Sequence, residues 1–201
     1  MQQKPSVWKL SSCEIRLPRT LFNSPKIFRR SRMAHLTYPP AMANALPNPS
    51  GDVFILNESI LSDGKRASRE SPRKRMIIPV QRNQDASVQR LLNFLQPGTY
   101  IRPHRHPLPH ATESICLLEG HLEILIFHPG GKIKERHHLT PQSPLIDIEP
   151  GIWHGMIVKA PDTVIFEVKQ GPYDPGADKD FAAWSPLEDA PEAELYLDSL
   201  Q

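Results

Sequence analysis

The chain has 201 residues, 39% of them hydrophobic, with 22 prolines, two cysteines and a formal net charge of +2. That length holds one domain with a real core and falls short of two full ones. Cys13 and Cys116 stand far apart with no paired motif, and no apolar run nears the length of a membrane span. A disulfide-stapled scaffold and a membrane-spanning helix are therefore excluded, a reducing cytoplasm is the expected location, and the N-terminus lacks the apolar stretch of a secretory signal.

Charge is distributed unevenly. Residues 1–50 carry eight Lys/Arg and one acid, Glu14, and show no sustained period of 2 or 3.6. They read as a disordered basic segment, with a transit-like leader or translation started upstream of Met33 or Met42 as competing explanations. A basic arm can meet nucleic acid, but without interleaved aromatics that partner is not expected. Asn48-Pro-Ser-Gly51 marks a boundary, after which residues 51–186 form the expected domain. From Asp174 onward there are eight acids and one base, Lys179, and residues 187–201 read as an acidic tail.

A short helix is expected over Asn57–Ser62 with Asn57 as its cap. Met76–Val80 reads as an edge strand, because Pro79 is tolerated only at an edge. Short apolar runs then follow between turn signals: Val88–Leu95, Tyr100–His106, Glu113–Leu118, His121–Phe127, Ile133–Leu139, Leu145–Ile148, His154–Val158 and Val164–Val168. About eight short strands at this spacing predict an all-β antiparallel sandwich or barrel. Alternation puts Leu122, Ile124 and Ile126 on one face, and sets Glu113 in line with Ile115 and Leu117. A carboxylate on a core face is costly unless a partner or a metal compensates it. Cys116 and Leu118 point the other way, so a partner subunit or the N-terminal arm is expected to cover that outer face.

His104-Arg-His106 carries the most chemistry. Imidazoles at i and i+2 of an extended segment share a face, and Glu113 and His154 can close around the same point. Three imidazole nitrogens and one carboxylate oxygen suit one divalent transition metal, Fe, Mn, Ni or Zn, without choosing among them. His110, in the Pro-rich loop before Glu113, competes for the fourth position. Tyr100 and Arg102, at i−4 and i−2 from His104, are candidates to line a cavity; Arg102 alternatively pairs with Asp147 or Glu167.

Gly98-(x5)-His104-x-His106-(x6)-Glu113-(x6)-Gly120 resembles the first cupin motif, and Glu149-Pro-Gly-Ile-Trp-His154 the second. Cupins usually place three or four residues between the second His and the Glu, and this chain has six, Pro107–Thr112. Phe166-Glu-Val-Lys169-x-Gly171-Pro172-Tyr173-Asp-Pro, followed by Asp178-Lys-Asp-Phe-Ala-Ala-Trp184, is similar to the WbuC family of cupin-fold metalloproteins, as are Val88–Asn93 and Pro97–Tyr100. The resemblance spans roughly residues 53–186. It implies a cupin double-stranded β-helix, a jelly-roll barrel with a short N-terminal helix and irregular tails. It also implies roles at the barrel mouth for Lys169 and Tyr173, a homodimer, and a sugar- or nucleotide-sugar-like small molecule linked to surface polysaccharide. Whether the protein turns that molecule over, in an isomerase- or oxygenase-type reaction, or only binds it stays open at this level.

Overall fold

The computed structural model describes residues 44–201; the expectations placed on residues 1–43 lie outside them. The chain order is α1 (Glu58–Glu70), β1 (Arg75–Pro79), β2 (Val88–Leu95), β3 (His104–Arg105), β4 (Glu113–Glu119), β5 (Leu122–Phe127), β6 (Ile133–Leu139), β7 (Leu145–Ile148), β8 (His154–Val158), β9 (Thr163–Gln170), β10 (Asp180–Phe181) and α2 (Ala193–Ser199). Two antiparallel five-stranded sheets result, ordered β1-β2-β9-β4-β7 and β10-β3-β8-β5-β6. These are the antiparallel β-sheets that the strand spacing predicts, in the all-β jelly-roll barrel that the resemblance implies.

Three apolar layers hold it. Between the sheets, Leu95, Ile115, Leu117, Leu122, Ile124, Ile126, Ile148, Val158 and Ile165 form the inner core. Outside the first sheet, Leu92, Phe94 and Val164 pack against Ile60 and Leu61 of α1 and against Leu46, Phe54 and Leu56. Outside the second sheet, Leu125, Phe127 and Ile157 are covered by Leu197 and Leu200. Strand β5 is therefore buried on both faces, as a strand between two covering layers must be.

Helix α1 begins where Asn57 Oδ1 accepts the Ile60 amide at 3.0 Å, with Glu58 in the first turn against the helix dipole. It runs to Glu70, longer than Asn57–Ser62, and stops at Ser71, which is extended because Pro72 follows. Buried Gly64 lets the helix settle onto the Phe94 ring. Strand β1 is the edge of its sheet and accommodates Pro79 there. Residues before the expected boundary at 51 already belong to this body: the Leu46 amide donates to Ile77 O at 2.8 Å, and Asn48 donates to Gln81 O.

Two further expectations are revised. The strand expected over Tyr100–His106 shrinks to His104–Arg105, because Pro103 and Pro107 bring no amide to a ladder. The segment read as an acidic tail folds back as α2, with Ala193 and Leu197 buried and Glu188 paired to Arg75. The cover over the second sheet thus comes from the chain's own C-terminal residues. Each of the two leucines placed there contributes about 2 kcal/mol of burial.

Candidate metal centre

Strand β3 lies next to β8 with His104 directly opposite His154. His106 follows two residues on, pointing the same way, while Arg105 between them turns outward onto the Trp153 ring. Glu113 opens β4 and shares its inward face with Ile115 and Leu117. The Pro150–Gly151 turn brings the second motif to the first: Gly151, at φ +78, donates its amide to His106 O at 2.8 Å.

These placements gather His104, His106, Glu113 and His154, one ligand atom from each, all within 4.8 Å of one another. All four side chains are almost wholly buried. The ring centroids of His104 and His154 are 4.4 Å apart, and those of His104 and His106 5.3 Å. Each Nδ1 has a carbonyl as its partner: Arg102 O at 3.0 Å for His104, Asp178 O at 2.6 Å for His106, Ile152 O at 2.9 Å for His154. A carbonyl only accepts, so Nδ1 carries the proton and the Nε2 lone pair faces the centre. Nε2 of His106 and of His154 are buried without a hydrogen-bond partner, 3.4 and 3.1 Å from the two carboxylate oxygens of Glu113. Lone pairs converging in a buried pocket suit a cation between them, and this donor set fits a divalent transition metal.

Electrostatics agree. Burial, reinforced by Lys179 and His154, pushes His104 well below the usual imidazole range, so it is neutral as a ligand must be. Burial alone would raise Glu113, but the imidazoles of His106 and His154 beside its two oxygens outweigh it and hold the carboxyl well below the usual range.

The other candidates are placed differently. Tyr100 is buried in the outer layer with its hydroxyl donating to Pro186 O at 3.0 Å. Arg102 donates to Ala182 O at 2.7 Å and to Ser185 Oγ, and pairs with neither Asp147 nor Glu167. Both bind the C-terminal segment instead of facing the four-residue cluster. Tyr173 is half exposed, with Lys169 Nζ 6.0 Å from its ring. Lys169 does face inward, opposite Glu113 in the β4–β9 register. His110 is exposed, as are His128, His137 and His138.

Sequence reasoning missed the layer behind the cluster. Glu167 is buried, accepts from Asn93 Nδ2 at 3.0 Å, and is pushed up to about 7 by burial and by the Glu113 charge. Asp178 meets both His106 and Lys169. The signal for Glu167 was available in β9, where Ile165, Glu167 and Lys169 share a face that starts in the core.

A family model described as a domain of unknown function (DUF6016) matches residues 56–139, a span holding His104, His106 and Glu113 but not His154. No curated protein matches the chain. Among solved structures it is similar to KdgF from Halomonas sp., at 16% identity over 50% of this chain and 82% of that one, TM-score 0.40. It is also similar to the capsular polysaccharide assembling protein CapF from Staphylococcus aureus, at 18% identity over 52% and 31% of the two chains, TM-score 0.44. A third is the DMSP lyase DddQ from Ruegeria pomeroyi, at 18% identity over 50% and 46%, TM-score 0.39. The chain thus spans less than half of the CapF and DddQ chains.

Proposed function

We propose that this chain is a cupin-fold metalloprotein that holds one divalent transition metal on His104, His106, Glu113 and His154 and uses it on a small polar molecule. The observation that carries the reading is the pair of buried, partnerless Nε2 atoms of His106 and His154 aimed at the Glu113 carboxylate. When bound, such a metal polarises a carbonyl or hydroxyl oxygen or activates a water. The chain's own residues orient the imidazoles and exclude water, and Glu167 supplies a protonatable group beside the cluster.

The finer reading is a WbuC-type protein with a sugar- or nucleotide-sugar-like ligand, supported by the motif running from Phe166 through Trp184. Iron, manganese, nickel and zinc all suit the donor set. The proposal also includes a cytoplasmic homodimer. Its support is the outward row Leu145–Cys116–Phe166 across β7, β4 and β9, with Leu145 and Leu118 exposed. No helix among the described residues is long and apolar enough to cross a membrane.

A second reading, a cupin that binds or senses its ligand without turnover, is favoured by one observation. Tyr100 and Arg102 spend their polar atoms on the C-terminal segment, and Lys169 is taken by Asp178. A thermal-shift screen of nucleotide sugars separates the cases from failure. Ligands that raise Tm only in the metal-loaded protein support metal-dependent recognition, and product formation then distinguishes enzyme from binder. Equal shifts with and without chelator contradict both.

A further inference from the structure

The three histidines are not held alike. His104 and His154 each donate to a carbonyl two residues upstream, so their own loops orient them. His106 donates to Asp178 O, 72 residues away. Asp178 lies on the segment that leaves β9 and returns as β10 on β3, pairing Asp180 with Arg105 and Phe181 with His104. The Asp178 carboxylate accepts twice from Lys169 Nζ, at 2.5 and 2.6 Å. The Lys169 and Asp178 side chains are only 4% and 12% exposed, so water screens the pair little. Asp178 therefore joins a metal-facing imidazole through its carbonyl to an inward lysine through its carboxylate.

We propose that the Lys169–Asp178 ion pair is a latch that docks residues 173–181 where the Asp178 carbonyl fixes His106, so that metal affinity and docking of this segment are coupled. The inference rests on the four-residue metal reading above. With the carbonyl in place, His106 keeps its proton on Nδ1 and its Nε2 lone pair for the metal. Without it, the ring is free to turn or take the other tautomer, and the metal must hold it in place at a cost in affinity. The coupling is reciprocal: a bound metal stabilises the docked segment. Lys169 and Asp178 are positioning residues here, acting through His106.

The test measures cobalt(II) affinity by chelator competition, and tryptic cleavage after Lys179 with and without cobalt(II), on full-length wild type, Lys169→Met, Lys169→Arg, Asp178→Asn and the Lys169→Met/Asp178→Asn double variant. Lys169→Met and Asp178→Asn each weaken cobalt(II) binding about 10–100-fold. Lys169→Arg retains most of it, and the double variant is no weaker than Lys169→Met alone. Cobalt(II) protects the Lys179 bond in wild type and protects it less in Lys169→Met. Affinities of Lys169→Met and Asp178→Asn within twofold of wild type overturn the latch while leaving the metal centre standing. A wild type that takes no cobalt(II) overturns both. Should Lys169→Met fail to fold, Asp178→Asn decides alone, because it keeps the carbonyl and the volume and removes only the charge.

Discussion

His104 and His154, fifty residues apart in sequence, stand directly opposite each other across the β3–β8 ladder with their rings 4.4 Å apart. This one pairing makes two separate motifs into one centre. His106 comes with His104 by the two-residue repeat of an extended chain, and Glu113 arrives from the other sheet. Removing either strand's contribution takes apart the donor set without removing apolar core.

The double variant His104→Ala/His106→Ala is therefore expected to lose metal retention altogether while keeping a β-rich fold. Metal content by elemental analysis beside far-UV circular dichroism checks it. Metal retained at the wild-type ratio shows that these imidazoles are not the ligands.

Gly64→Ala tests the packing of α1. Alanine ordinarily stabilises a helix interior by about 1 kcal/mol over glycine. Here the added Cβ meets the Phe94 ring, which is itself fully buried and has nowhere to move. Overpacking reverses the sign, and a net loss of about 1–2 kcal/mol is expected in denaturant melts. A stabilised variant means that the helix does not sit on Phe94.

The C-terminal segment is a structural layer. Leu197 is 4% exposed within the outer cluster. Leu197→Ala is expected to cost about 2–4 kcal/mol, read as a lower urea midpoint. An unchanged midpoint returns residues 187–201 to the status of a dispensable tail.

Much of this was legible beforehand, and the gaps have physical causes. Val88–Leu95, Ile133–Leu139, Leu145–Ile148 and His154–Val158 coincide with their strands because Pro, Gly and Asp bound each run. The gathering of His104, His106, Glu113 and His154 was legible because alternation put Glu113 on a core face and the two motifs of the resemblance put the histidines beside it. The remainder of α1 hid behind a charged, Gly-containing stretch whose buried face is small residues, Gly64 and Ser68. Strand β10 and the hold on His106 depend on backbone groups, and a carbonyl leaves no mark on a sequence. The covering role of α2 was masked by the acids that surround its few apolar residues.

Glu188 is expected to be one source of acid sensitivity. Burial alone would raise its carboxyl, but Arg75, with Arg73 and the Arg102 amide, outweighs burial and holds it below the usual value of 4.5. A depressed folded value stabilises above the unfolded value and is lost as pH falls through the folded one. Glu188→Gln is thus expected to lower stability at pH 7 by about 1 kcal/mol, discounted because water reaches a third of the side chain. The gap between variant and wild type should begin to narrow as pH falls through 4.5 and close only below the depressed folded value. Tm profiles from pH 7 to 3 that stay parallel rule out this pair as a source.

The most direct test of the metal centre is elemental analysis of protein purified without added metal, wild type and Glu113→Ala in parallel. The structure predicts a near-stoichiometric divalent transition metal in wild type, lost in Glu113→Ala with the fold retained. A wild type that stays metal-free after reconstitution, or a Glu113→Ala protein that keeps its metal, contradicts it.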